Sequence, residues 1–260
     1  MRSRYVDELA NLPHRKRLPY VGDSAFAHKA GMHVDAIAKN PLTYEHIVPE
    51  QVGNRRRILV SDLAGRSNIL QKTTELGISL TKDSPELAEI LKKVKQLENE
   101  GYEFEGAEGS LELLMLRAGH NYESVFNMFD RIDYRIFTER RKVDPHPVSE
   151  ATVTTEVGGN VEHTAAWGNG PVNALDKALR KVLPNYFPGK GLENMRLLDY
   201  KVRVLTAAEG TAARVRVLIE SGDGKNKWGT VGVSENVIEA SWQALVDSIE
   251  YKLLKGSRKR

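Results

Sequence analysis

Apolar and polar positions follow two textures along the chain. Over the first third no period is sustained, and Pro13, Pro41, Pro49 and Gly53 cut the chain into short pieces. One helix is expected from Ser3 to Asn11, stopped by Pro13. Two more regular helices follow. Ser84 is placed as an N-cap with Pro85 at the first helical position, and Leu87, Ile90, Leu91, Val94 and Leu97 recur at helical spacing up to Gly101. A further helix is predicted from about Ala107 to Ala118, with Leu111, Leu114 and Met115 on one side and Gly119 ending it.

The second half alternates with period two and repeats itself. Asp133-Tyr-Arg-Ile-Phe-Thr138 returns as Asp199-Tyr-Lys-Val-Arg-Val204, 66 residues later. Two alternating segments follow each copy: 152–157 and 161–166 after the first, 213–219 and 227–233 after the second. Each series then closes with a helix, lined by Val172, Leu175, Leu179 and Val182 in one case and by Val237, Ala240, Ala244, Leu245 and Ile249 in the other. Ala178 and Ala244 keep the same offset. The pattern is a duplicated strand–strand–strand–helix unit. One such unit buries too little to stand alone, and two packed helix to helix enclose one core. Residues 140–150, carrying Pro145 and Pro147, read as the linker in front of it.

Composition then removes function classes. With 260 residues, 40% hydrophobic and 28% charged, the chain can bury real cores. No run of about 18 apolar residues occurs, so no membrane span is expected. No apolar signal region opens the chain, and a cytoplasmic location is the expectation. The absence of cysteine excludes disulfide frameworks, thiolate zinc sites and cysteine nucleophiles. A net charge of +3, with basic runs at 55–57, 140–142 and 255–260 and no interleaved aromatics, argues against a nucleic-acid partner.

Candidate chemistry is sparse. His28, His33 and Asp35 lie close in sequence, but the His28-x4-His33 spacing misses the step that puts two ligands on one helical face, so no metal site is expected. His33 sits in a Gly- and Ala-rich stretch where a backbone can approach a ligand. On residue chemistry alone, an acid–base role and an ordinary hydrogen-bonded histidine both stay open. Gly168-Asn-Gly-Pro171 makes a tight strand-to-helix turn whose N–H groups suit a carboxylate, or simply a well-made turn. Gly65-Arg-Ser-Asn68 is a milder signal, and Ser24 and Ser61 have no triad context.

The stretches Tyr20 to Ile37, Val52-Gly-Asn54, Leu63 to Leu70, Tyr102 to Leu114 and Gly168 to Ala174 resemble the 2-isopropylmalate, homocitrate and citramalate synthases. Within that family, Pro41-Leu-Thr-Tyr-Glu-His-Ile47 and Tyr102 to Leu114 are most similar to citramalate synthases, with 2-isopropylmalate synthases second. The resemblance implies an α+β chain without the family's catalytic TIM barrel. It divides the chain into a linker subdomain over 1–80, a helical linker subdomain over 81–128, and a duplicated βββα allosteric dimerisation domain over 129–260.

It further implies that His33, with Asp35 and Tyr44 and adjoining Asn40 and Leu42, serves the active site of a partner's barrel. Gly168, Asn169, Gly170 and Pro171 would bind an effector, isoleucine first and leucine second, in a homodimer. The divalent metal, Mg or Mn, belongs to the barrel. This chain alone is expected to be inactive in condensing acetyl-CoA with a 2-oxo acid. A free-standing amino-acid-binding module is the alternative. The symmetric dimer is expected to bury outer sheet faces near Val153 and Val215.

Overall fold

A computed structural model describes residues 2–10, 12, 15, 17–22, 24–28, 31–58, 66–75, 80–118, 129–140, 142 and 146–257. The chain divides into two compact units, Met1–Glu98 and Asn99–Arg260.

In the first unit α1 spans Arg2–Leu9, and β1 (Ala27–His28) pairs in parallel with β2 (Arg57–Ile58). The stretch expected to be irregular holds a helix, α2, over Gly31–Lys39. Its buried residues are Val34 and Ile37, three apart, a pattern too short to stand out among the neighbouring alanines. α3 covers Arg66–Glu75, and α4 runs Pro85–Asn99, burying Leu87, Ile90 and Val94 as their spacing requires. The Ser84 hydroxyl turns back to accept from the Thr81 N–H at 2.9 Å. Gly65 and Ser61 lie outside the described residues.

The second unit opens with α5, Glu108–Ala118. Leu111, Leu113 and Met115 are buried, whereas Leu114 is only half so, because the helix is packed on more than one side. Gly119 lies outside the described residues. Strands β3 (Asp130–Glu139), β4 (Val148–Val157) and β5 (Asn160–Gly168) form one antiparallel sheet, followed by α6 (Pro171–Tyr186). Strands β6 (Arg196–Val204), β7 (Val215–Gly222) and β8 (Lys227–Ser234) form the second, followed by α7 (Val237–Ser257). Each sheet keeps its strands in sequence order.

The duplication persists at atomic detail. Asp133 pairs with Thr154 and Val153 with Thr164; Asp199 pairs with Glu220 and Ile219 with Thr230, every partner displaced by 66. Both first strands carry a bulge at the same place, between Arg131 and Asp133 and between Leu197 and Asp199. Thr164 Oγ1 donates to the Ala178 carbonyl at 3.0 Å, and Thr230 Oγ1 to that of Ala244 at 2.7 Å. Each hydroxyl ties the third strand to its own helix.

α6 packs on β4 and β5, α7 on β7 and β8, and the helices meet between the sheets. One apolar cluster joins Ala151, Val153, Leu175, Leu179, Val217, Ile219, Leu245 and Ile249. Val153, expected on an outer sheet face, is therefore internal: Ser149, Ala151, Val153, Thr155 and Val157 point inward, and the intervening residues point out.

Candidate functional site

His33 lies on the half-buried side of α2, one residue before buried Val34. After α2 the chain makes a 3-10 turn over Pro41–Thr43 that starts at Asn40. The Asn40 side-chain oxygen accepts from the Leu42 N–H at 3.1 Å, and the Thr43 hydroxyl donates to the Asn40 carbonyl at 2.8 Å. This turn brings Tyr44 back over the helix, where its ring stacks on His33 with centroids 4.3 Å apart and planes tilted by 34°. Tyr44 remains 49% exposed, so the pair presents an imidazole and a phenol to solvent side by side. Leu42 and Asn40 are exposed on the same turn.

Asp35 does not join them. It is exposed and pairs with Lys39 one helical turn on, at 2.7 Å, and that ammonium holds its carboxyl below the usual range. Next to Tyr44 lies a network of His28, weighed in the sequence only with His33 and Asp35, and of Glu45 and Arg56, which no motif singled out for a site. Glu45, adjacent to Tyr44 and buried, accepts from Arg56 Nε at 2.8 Å and Nη2 at 2.5 Å, and its carboxylate meets His28 Nε2 at 3.0 Å. Hydrogen bonding to Arg56 outweighs burial and lowers the Glu45 carboxyl below its ordinary range, and the same contact raises the Arg56 guanidinium. Nothing local marks this network, whose members are 17 and 11 positions from Glu45.

In the second unit Gly168-Asn-Gly-Pro171 forms the expected turn from β5 into α6. A side chain at Gly168 would lie 2.4 Å from the Ala174 nitrogen, so glycine is required for strand and helix to approach. Gly170 is different: its backbone is extended and a side chain there would meet nothing within 4 Å. The Asn169 N–H is taken by the Asn173 side chain at 3.2 Å. The first-turn N–H groups of a helix have no intrahelical acceptor, which leaves this end suited to a carboxylate.

A second feature of this unit went unread in the sequence. Leu197, Tyr200, Val202 and Val204 lie on the helix-facing side of edge strand β6 and stay exposed, because α7 packs mainly on β7 and β8 and meets β6 where the Tyr200 hydroxyl lies 2.7 Å from that of Ser241. Their counterparts fare otherwise: Tyr134 packs on Trp242 at 5.1 Å and donates to Glu239 at 2.7 Å, and Ile136 joins the core. Burial and the bond to Glu239 push the Tyr134 phenol up to about 12. The strip on β6 is an apolar face that the described residues leave largely uncovered.

Among the described residues no three His, Asp or Glu side chains gather to hold a metal ion. The described residues do not fit the divalent cation expected for the family's barrel. No helix among those residues is long and apolar enough to cross a membrane.

Comparison with known proteins matches residues 105–253 to the LeuA allosteric (dimerisation) domain and residues 20–102 to the homocitrate synthase post-HMGL domain-like family. An (R)-citramalate synthase of Geobacter sulfurreducens is 56% identical over 99% of this chain and 49% of its own length. One from Aquifex aeolicus is 57% identical over 96% of this chain and 47% of its own. A 2-isopropylmalate synthase of the same organism is 31% identical over 90% and 42%, respectively. The chain spans about half the length of the curated relatives it matches.

Proposed function

The chain belongs to the family of the LeuA allosteric (dimerisation) domain, and from that premise we propose that it is the regulatory portion of an (R)-citramalate synthase, which joins acetyl-CoA to pyruvate under end-product control. One observation carries the reading. Two repeats with the same register differ in cover, and the second leaves Leu197, Val202 and Val204 exposed on its helix-facing side. A second copy of the chain, related by a two-fold axis, is the simplest way to bury such a strip. This replaces the outer sheet faces near Val153 as the expected interface.

The effector is a small apolar amino acid lodged where the copies meet, its side chain against the β6 strip and its carboxylate near the opening of α6. Isoleucine is the first candidate because relatives 56% and 57% identical to this chain are citramalate synthases. Leucine is the second, on the 2-isopropylmalate synthase relative.

The first unit supplies the chemistry. In the intact synthase His33 and Tyr44 face a partner's barrel and relay the proton removed from the acetyl methyl group, a task for which an imidazole stacked on a phenol is suited. By itself this chain condenses nothing.

Sedimentation and a thermal-shift series with isoleucine and leucine test the reading. A dimer is expected, with a Tm that rises with one amino acid as RT ln(1 + [L]/Kd) requires. A monomer that ignores both at millimolar concentration would sink it. Val202→Glu should dissociate the dimer, and Gly170→Asp should weaken the effector while leaving the dimer intact.

A further inference from the structure

We propose that Glu45 is the positioning residue of the His33–Tyr44 pair, with His28 and Arg56 as the two anchors that fix it. The proposal deepens the reading of that pair as catalytic and rests on it for its significance. Asn40, Pro41, Leu42, Thr43, Tyr44, His46 and Val48 are exposed, and Ile47 is half-buried. Glu45 alone is buried, at 4%. With Leu42 and Val48 in solvent and Ile47 only half-buried, the turn has little hydrophobic anchorage, so hydrogen bonds must set its conformation.

Those bonds form two layers. Within the turn, the Tyr44 N–H donates to Pro41 at 3.2 Å and the Glu45 N–H to the same carbonyl at 3.0 Å. Beneath it, the Glu45 carboxylate receives the paired donors of Arg56 and lies 3.0 Å from His28, so both oxygens are engaged. His28 belongs to β1, and Arg56 immediately precedes β2, the strand paired with β1. The carboxylate therefore clamps the turn to a two-stranded ladder, and the neighbouring residue, Tyr44, is delivered against His33.

A buried carboxylate stripped of such partners is strongly unfavourable, and charge-assisted, two-pronged contact with arginine is the geometry that offsets it while fixing direction. A leucine at 45 would bury as well but would not define an orientation. The lowered carboxyl of Glu45 keeps the clamp charged below the pH at which an ordinary glutamate takes a proton.

The test is NMR on the uniformly labelled full chain. In the parent protein, His33 and Tyr44 ring protons should show a mutual NOE, and the His33 ring signals should carry the shift caused by the stacked phenol. Glu45→Ala should abolish both while the indole signals of Trp167, Trp228 and Trp242, all in the second unit, stay in place. Glu45→Gln, which keeps the shape but not the charge, guards against simple unfolding. It should weaken the NOE without moving the methyl signals of Val34 and Ile37, and Arg56→Lys should do the same. An unchanged His33–Tyr44 NOE in Glu45→Gln and Glu45→Ala overturns the proposal. Loss of the NOE, together with unaltered turnover of His33→Ala in an intact synthase, leaves the positioning role standing and overturns the catalytic reading.

Discussion

The two sheets of the second unit descend from one pattern and end in different surroundings. β5 is buried on one side only: its residues alternate, with exposed Val161, His163, Ala165 and Trp167 facing out. β8, its counterpart, is buried without interruption from Trp228 to Val233. The cause lies in the segment before the duplication. Residues 100–107 cross the outer side of β7 and β8, where Arg216 donates to the Gly101 carbonyl and pairs with Glu103. α5 then runs along the free edge of β8. There the Ser110 hydroxyl accepts from the Val231 N–H at 3.0 Å and donates to Asp247 at 2.6 Å. From α7, Gln243 accepts from the Val233 N–H at 3.1 Å. An edge that would otherwise template pairing is thus closed by side chains.

One position explains why only one sheet took this cover. A side chain at Gly229 would lie 1.7 Å from the Gly106 carbonyl oxygen, so the close approach of the segment needs glycine there. The equivalent position in the first repeat is His163, whose ring meets Thr154 at 3.0 Å, in a row that ends at Asp133. The first sheet keeps an open outer face with Phe137 and Trp167 more than 60% exposed. A duplicated fold therefore shares its register, whereas its cover is set by a few small residues.

The largest effect should come from the tryptophans. Trp228 is buried and donates to Ser248, so Trp228→Ala should cost ~3–5 kcal/mol in denaturant titration. Trp167→Ala, at an exposed position, should stay within about 0.5 kcal/mol. Equal losses would mean that the first sheet is covered after all.

Exchanging the repeats' key residue sharpens the contrast. Gly229→Ala should cost ~1–3 kcal/mol by overpacking and open residues 100–118 to protease, whereas His163→Gly should cost only about 0.5–1 kcal/mol. Gly229→Ala without new cleavage in that segment would contradict the role given to this glycine. The matched threonines come next. Thr230→Val should lose about 1 kcal/mol, and Thr164→Val, half-buried, nearer the lower end of the ~0.5–1.5 kcal/mol range of one hydrogen bond.

The smallest difference concerns acid. Asp223 in the β7–β8 turn is opposed by burial but is held well below the usual carboxylate range by Lys252 and by the N–H groups of Asn226 and Lys225. A carboxyl lowered in the folded state contributes stability above its unfolded pKa, about 3.9, and loses it as the pH falls towards the folded value. The β4–β5 turn holds Gly158 and Gly159 instead. Amide exchange should therefore show β7–β8 protection falling first below about pH 4, and Asp223→Asn should remove that pH dependence.

Of the candidate site, His33 and Tyr44 were legible only through their likeness to a known family, and the turn at Gly168 through its residue types. The clamp that joins Glu45 to His28 and Arg56 left no trace, since partners 17 and 11 residues away make no period and no motif. The helix carrying His33 was also hidden, because Val34 and Ile37 supply only one turn of apolar spacing.

The sequence by itself determined the duplication, its six strands and two helices and their common offset of 66, because alternation and helical spacing are local consequences of which side chains meet water. Only the tertiary structure decided which faces of those elements would be covered. Gly229 and His163 differ by one side chain, and whether that matters depends on residues 100–107 arriving from a distance. The same holds for β6, whose apolar alternation repeats that of β3 and yet stays largely exposed, because α7 lies mainly over β7 and β8. Burial follows from where the rest of the chain is placed, and no local pattern records that.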